Sequence, residues 1–531
     1  MEILEPGVEN PLQDFERLSP FEQTLLQILS IIYEPAHPTI ILNCLKKLEL
    51  KGPRGNRPTT PLVNHYVAKL EEAGFLNDNR QCHLDLVETI ARKSVKSGTF
   101  AQFSAAIQKE APASYYYGKW ATRCWRAVRE LRIGIYTQDF EIIDQALKFL
   151  DNQCEDLTLP LPPVVQVVTQ PFDPQWFGEL PPSFQFFLLN HIILYGQRRL
   201  ESFPEIIGYL EEQSNFASLD DDEFLPFQRL LLNQYIFQGA CAKIEELLSI
   251  NGNIGLATGT RGSVSFLQGN YQEAAELFDE DLAALRSINQ TDAAAFVGIQ
   301  GLFHVLSKTA RNDSDSQEQA ARQISIALSL FEESEEHHAY LFLHTLIDSR
   351  IHQKGQPQEI DLPASPAPSA VTVLFGALTQ YWLTGTLEPE VEKAAYSYCR
   401  KADEHGYAMF SIILSRLLKQ IQPDEGPALP VENGAAAEDL QPFIDLIEPE
   451  EPWKRSLQAL INVSSNAVHD YQDQDRRLIW LVGYENEELT VRPREQKLAD
   501  DGTWSRGRPI SLARLHNSSG MPFLTLQDRK K

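Results

Sequence analysis

Arg54, Arg57, Asn64, His65 and Lys69 fall within sixteen consecutive residues, and their side chains are of the kinds that bind a polyanion. Guanidinium and ammonium groups neutralise phosphates, while a carboxamide and an imidazole can bond base edges. From Cys44 to Leu70 the chain carries Lys46, Lys47, Lys51, Arg54, Arg57 and Lys69 against Glu49 alone. A second cationic group, Arg492, Arg494, Lys497, Arg506 and Arg508, stands in a stretch from Leu489 to Lys531 with nine Lys/Arg and four Asp/Glu. The chain as a whole has a formal net charge of −26, which excludes general nucleic-acid binding because phosphate is repelled. Only these two end regions could touch an anionic polymer.

Other chemistry finds little support. A nucleotide-driven motor needs a phosphate cradle of the form GxxxxGK[ST] and an acidic magnesium box. The one Gly-Lys pair, Gly118-Lys119, is followed by Trp120, and Asp279-Glu280-Asp281 sits inside an amphipathic helical pattern as a solvated face. No ATP hydrolysis is expected from these residues. His337, His338 and His344 with neighbouring glutamates do not converge on one helix side, so no metal site is expected. No GxSxG, HExxH or Cys/His nucleophile arrangement is present. Cys44, Cys82, Cys124, Cys154, Cys241 and Cys399 are scattered without a CxxC pair, so buried, reduced thiols are expected. No catalytic, cofactor or metal residue is assigned.

At 531 residues, 43% hydrophobic and 23% charged, the composition is that of a globular chain of three or four domains. No apolar run is long enough to span a membrane, and the acidic start is no secretory signal, so a cytoplasmic location with no membrane partner is expected.

The first cationic group needs a scaffold, and residues 1–97 predict one. Ser19 and Glu22 form a capping-box pair around Pro20, followed by Phe21, Leu25, Ile28, Leu29 and Ile32 at helical spacing. Thr39 is expected to cap a second helix through Ile41, Leu42 and Leu45. A third begins at a Thr60 cap, turns Leu62, Tyr66, Leu70 and Ala73 inward, and ends at Gly74. Phe75 to Leu84 then fits a short hairpin. Three helices and a hairpin are the order of a winged helix, whose third helix would present Asn64, His65 and Lys69 to a DNA groove beside Arg54 and Arg57. Glu71 and Glu72 on that helix would repel phosphate, and a winged helix used for protein contacts or packing fits as well.

Residues 98–156 predict further helices. There Tyr115, Tyr116, Tyr117, Trp120 and Trp125 interleave with Lys119, Arg123, Arg126, Arg129 and Arg132. Such a mixture can stack bases; the spacing of Tyr117, Trp120, Cys124 and Val128 favours a core stripe with arginines reaching out to water. Residues 157–183 hold too many prolines for a helix and are expected to act as a linker. Residues 184–448 read as helix after helix, broken by Pro-rich loops at Gly355–Ser369 and Gln422–Pro442. Gly262, Gly269, Ala274 and Phe278 stand at the small, small, small and large positions of a segment that resembles a tetratricopeptide unit. Ala320, Ile324 and Ala327, then Gly376, Ala395 and Cys399, are weaker echoes, and Asp139–Phe149 is a degenerate early one. A protein partner on the concave repeat surface is the expected use.

Residues 452–531 change period. RRLIWLVGY, ELTVRP and PISLARL read as three short strands of an antiparallel sheet, with a short closing helix and with Trp480 and Trp504 as anchors. With PREQK, GTWSRGRPISLARL and LTLQD in that order, Arg476–Asp528 resembles the segment preceding the ATPase motor of bacterial SWI/SNF-type DNA translocases. The resemblance covers about a tenth of the chain. It implies a non-catalytic N-terminal portion of such a translocase or helicase, positioning or regulating a motor supplied in cis or in trans. ATP and magnesium would belong to that motor alone. The fold class expected is mainly α, with an N-terminal winged helix, an irregular tetratricopeptide-like array and a small C-terminal β-module. A winged-helix transcriptional regulator with a helical sensor accounts for the first 450 residues equally well but leaves the C-terminal resemblance unexplained, and a pure interaction scaffold without DNA contact is a third alternative.

Overall fold

The computed structural model describes residues 11–114, 119–154, 157, 159–216, 224–250, 258–289, 294–296, 298–310, 314–330, 336–351, 362, 368–384 and 386–421, together with the strands 468–472, 476–485, 488–497 and 508–509. Among these the chain is mainly helical, with 22 helices and one four-stranded sheet. No described helix is long and apolar enough to cross a membrane. The chain divides into two compact units, Met1–Gly196 with Phe203–Leu231, and Gln197–Ser202 with Leu232–Lys531.

The first unit opens with α1 (Pro11–Arg17), α2 (Pro20–Ile32), α3 (Pro38–Lys47) and α4 (Thr60–Glu72). Ser19 and Glu22 cap α2 reciprocally, as the sequence predicts, and Phe21, Leu25, Ile28, Leu29 and Ile32 are all buried. The cap of α3 is His37, whose imidazole accepts from the Thr39 amide, so Thr39 lies inside the helix and is not its cap. Helix α4 starts one residue earlier than expected, after Thr59. A single antiparallel bridge, Leu76 to Cys82, closes the turn that follows, and the Asn77 carboxamide oxygen accepts from the amides of Asn79 and Gln81.

Next come α5 (Leu84–Lys96), α6 (Phe100–Glu110), α7 (Trp120–Thr137) and α8 (Phe140–Gln153). The Pro-rich stretch departs from expectation: it holds α9 (Pro163–Thr169) and α10 (Pro174–Gly178). Each starts with proline in its first turn, where the missing N–H has no intrahelical partner to lose. Val164, Val165, Val167, Val168, Trp176 and Phe177 are buried, so this segment is packed core. Helices α11 (Pro182–Arg199), α12 (Pro204–Phe216) and α13 (Leu225–Gln238) follow. Cys124 and Cys154 form a disulfide, against the expectation of six reduced thiols; Cys44, Cys82, Cys241 and Cys399 are free and buried. Thirty residues apart in sequence, the pair is brought together by the antiparallel return of α8 along α7, which residue spacing alone does not reveal.

The second unit continues with α14 (Cys241–Ile250), α15 (Thr260–Leu267), α16 (Tyr271–Asn289), α17 (Ile299–Ala310), α18 (Ser314–Leu330), α19 (His337–Ile351), α20 (Ala370–Thr384), α21 (Pro389–Glu404) and α22 (Ala408–Ile421). The α15–α16 hairpin packs as its small residues require. A Cβ on Gly262 would lie 2.7–2.9 Å from the Phe278 ring, and Ala274 and Phe278 are fully buried. Gly269 has φ +83° in the turn between the two helices, a conformation that costs glycine little. Ala320, Ile324, Ala327, Ala395 and Cys399 are likewise buried. Asp281 departs from the solvated face expected of it. It is 1% exposed and accepts from the Gly259 amide at 3.1 Å and the Arg261 guanidinium at 2.6 Å.

The two ends of this helical run touch. Phe237 of α13 stacks on Phe410 of α22 with ring centroids 5.0 Å apart, and the Tyr407 hydroxyl donates to the Glu201 carbonyl at 2.9 Å. Leu302–Thr309 of α17 and Ala370–Tyr381 of α20 are buried without a break. Neither stretch therefore presents an exposed face.

The strands are β1 (Val468–Gln472), β2 (Arg476–Glu485), β3 (Glu488–Lys497) and β4 (Arg508–Pro509), antiparallel in the order β1-β2-β3-β4. Strands β2 and β3 match the expected RRLIWLVGY and ELTVRP segments, β1 was not expected, and β4 covers only the start of PISLARL. The closing helix, Trp504, LTLQD, the Gln422–Pro442 loop and all but Leu362, Pro368 and Ser369 of the Gly355–Ser369 loop lie outside the described residues.

Candidate nucleic-acid interface

The turn between α3 and α4 is closed by two backbone bonds, Gly52 N–H to Asn56 O and Gly55 N–H to Gly52 O, both 2.8 Å. Gly55 takes φ +74°, and a Cβ on Gly52 would meet Asn56 Oδ1 at 2.7 Å and Leu62 at 2.9 Å. Pro58 is buried beneath this turn, which fixes its direction, and Arg54 and Arg57 project from it exposed. Among the described residues no carboxylate comes within salt-bridge distance of either guanidinium. The amides of the first turn of α4 gain no side-chain cap from Thr59 and add a partial positive charge at the same end.

Helix α4 is rotated by one position from the expected packing. Val63, Val67 and Leu70 form the buried stripe, while Leu62 and Tyr66 are half-buried and Ala73 is exposed. The i, i+4, i+7 spacing of the two valines and the leucine puts them on one helix face, which is the face turned to the core. The rotation leaves Asn64, His65 and Lys69 exposed, as expected. Lys69 is not free, however. Its ammonium lies 3.1 Å from Glu22 Oε1 and 5.5 Å from the Tyr66 ring centre. Burial would raise the Glu22 carboxyl, but bonds from Ser19 and Lys69 outweigh it and hold the group below its ordinary value.

Further cations gather near the end of α3. Lys46 and Lys47 end that helix, and Lys109 of α6, which sequence reasoning missed, stands close enough to pull the Lys47 ammonium below its ordinary pKa. Glu110 approaches Lys47 to 3.9 Å. Glu71, a feared source of repulsion, is 3.8 Å from Arg80 at the tip of the hairpin turn, and Glu72 remains exposed. Arg54 and Arg57, with the likewise exposed Lys46 and Lys51, are thus open to an anion among the described residues.

The arginine-rich helix behaves differently. Arg129 and Arg132 of α7 are 0% and 2% exposed and do not reach water. Arg132 bonds Glu88 through Nε at 2.7 Å and through a terminal nitrogen at 3.1 Å, and donates to the Ser30 carbonyl at 2.9 Å. The Tyr136 hydroxyl reaches the same carboxylate at 2.8 Å, and the Tyr33 ring lies 4.1 Å under the guanidinium. Burial would lower the Arg132 pKa, but the facing Glu88 raises it. Arg129 bonds Glu130, and Arg126 bonds Glu34 at 3.0 and 3.2 Å. The expected snorkelling core helix is therefore an internal ion-pair spine. Arginine at every third position, 123 to 132, winds these groups part-way round α7, from half-buried Arg123 and Arg126 to buried Arg129 and Arg132, and Glu34 and Glu88 were the unrecognised partners. Tyr115–Tyr117 lie outside the described residues.

In the sheet, Arg492 stands in register with Leu481, Arg494 with Ile479 and Pro509, Lys497 with Arg476, and Arg508 with Glu495. Arg506 lies outside the described residues. Among the described residues no group of three His, Cys, Asp or Glu could hold a metal.

Comparison with family models, with curated proteins and with solved structures gave no match to this chain.

Proposed function

We propose that this chain is the non-catalytic, N-terminal portion of an SWI/SNF-type DNA translocase or helicase, which positions or regulates an ATPase motor. In this reading residues 1–97 act as a winged helix, and DNA meets Arg54, Arg57, Asn64 and His65. The observation that carries the DNA part is the closed turn that holds Arg54 and Arg57 exposed and, among the described residues, without a carboxylate partner. Phosphate would supply the missing counter-charge. Lys69 is assigned a lesser part because Glu22 already neutralises it.

The motor part rests on the resemblance of Arg476–Asp528, in which Arg492, Arg494, Lys497, Arg506 and Arg508 would face the motor or its DNA. The helical run acts as a tetratricopeptide-like scaffold. Its partner surface falls on outward helices such as α16 and α21, because α17 and α20 are buried. Sequencing downstream of the codon for Lys531 tests the cis form of the proposal. A frame continuing into GxxxxGK[ST] and a DExH box supports it. An unrelated sequence, together with no co-purifying motor chain, overturns the motor reading. DNA binding that survives such a result would favour the transcriptional-regulator alternative.

A further inference from the structure

The one disulfide among the described residues sits at the root of the arginine helix. Cys124 lies one turn into α7, and Cys154 follows the last residue of α8. Cys124 is fully buried; Cys154 is 5% exposed and is preceded by exposed Asp151, Asn152 and Gln153. The same two helix ends are tied once more, by the Trp120 indole N–H to the Gln153 carbonyl at 2.8 Å. Ala127, Phe149, Leu150 and Leu157 surround the sulfurs with apolar groups. Beyond this staple, α7 carries Arg126, Arg129 and Arg132, paired with Glu34, Glu130 and Glu88. Whatever loosens the α7–α8 root loosens the element to which those pairs are fastened.

We propose that Cys124–Cys154 is a reversible redox staple that sets the stability of the α7–α8 hairpin. Oxidation transfers two electrons from the two thiols to a low-molecular-weight disulfide. A Cys154 thiolate attacks one sulfur of that disulfide and releases one small thiol. Cys124, deprotonated, then displaces the second and closes the bond. Reduction runs the same steps backwards: an external thiolate enters at Cys154 when the last turn of α8 frays, and Cys124 leaves and takes up a proton. Three of the four remaining cysteines are poor competitors. Burial pushes the Cys44 thiol up to about 11 and those of Cys82 and Cys399 up to about 12, which starves them of thiolate. Closing a loop between residues 30 apart removes chain entropy from the unfolded state.

The full chain equilibrated in glutathione buffers from reduced to oxidised, quenched in acid, unfolded and alkylated, tests this directly. The expected result is loss of alkylation at Cys124 and Cys154 together in the oxidised buffers, with full recovery on return to the reduced one. The melting temperature should rise by about 5–10 °C on oxidation. Amide exchange in 120–153 should slow in parallel. The Cys124→Ser/Cys154→Ser variant should melt at the reduced value in every buffer, which separates the staple from general effects of the buffer. Persistent alkylation of both residues in the oxidised buffers, or a bond that forms without changing exchange in 120–153, overturns the proposal.

Discussion

Arg132 and Glu88 face each other through two hydrogen bonds, 2.7 and 3.1 Å, at a place where neither side chain is more than 3% exposed. They join α7 to α5, and the Arg132 bond to Ser30 O brings in α2. The helices that support the exposed turn and the helix that was a rival nucleic-acid surface are thereby one ion-paired core. Charges buried this way are costly to separate, because the survivor keeps its desolvation cost without its partner.

Arg132→Met should destabilise the chain by about 3–5 kcal/mol in urea unfolding. Adding Glu88→Gln should recover part of that loss, since the orphaned carboxylate is then neutral. A single substitution within about 0.5 kcal/mol of wild type would mean that the pair is not buried as described.

Gly262 has no room for a methyl group against Phe278. Gly262→Ala should cost about 1–3 kcal/mol by overpacking, and combining it with Phe278→Leu should cost less than the two changes added separately. Thermal melts of the four proteins give the coupling, and strict additivity would contradict the contact.

Acidification should weaken the second unit through His304. Burial lowers its pKa, with Asp279 opposing and Lys308 and Arg286 reinforcing the shift. Its Nε2 lies 3.2 Å from Asp279, its Nδ1 has no hydrogen-bond partner among the described residues, and Lys308 Nζ sits 2.7 Å from the same carboxylate. The folded state resists the proton while the unfolded chain accepts it near pH 6.5. Stability is therefore unaffected above that value and falls as pH drops from it towards the lowered folded pKa. Asp279 works in the same sense at lower pH: burial raises its pKa, but bonds from His304 and Lys308 bring it below the ordinary value. Melting temperatures between pH 8 and pH 5 should fall less steeply for His304→Gln than for wild type, and equal slopes would remove His304 from the account.

Glu22 restrains Lys69. Lys69→Ala should therefore change DNA affinity less than Arg54→Ala, and Glu22→Gln should tighten binding by releasing the ammonium. Competition titrations at fixed salt rank the three; a Lys69→Ala loss equal to that of Arg54→Ala would show that Glu22 does not hold the lysine in solution.

Local rules carried much of the helical architecture. The Ser19–Glu22 cap, the apolar stripe of α2 and the Gly262–Ala274–Phe278 spacing each depend on neighbours within a few turns, and each stands where periodicity put it. Errors arose where distant chain decides. The rotation of α4 buries Val63 and Val67 in place of Leu62 and Tyr66, a choice between two apolar faces that the spacing alone leaves open. Prolines in 157–183 looked like helix breakers, yet Pro163 and Pro174 begin helices. The Glu88–Arg132 pair spans 44 residues and the Cys124–Cys154 bond 30, separations at which sequence offers candidates but no pairing. Of the candidate interface, the exposure of Arg54, Arg57, Asn64, His65 and Lys69 was legible; the neutralisation of Lys69 was not.

The central claim, that the turn before α4 meets DNA, is tested most directly by the salt dependence of binding of the full chain to a short mixed-sequence duplex. Wild type should bind with an affinity that falls linearly in log–log form as salt rises. Arg54→Ala/Arg57→Ala should bind more weakly and reduce the slope by about 1.8, the value for two lost phosphate contacts. Binding absent at low salt, or a slope identical in the double variant, would contradict it.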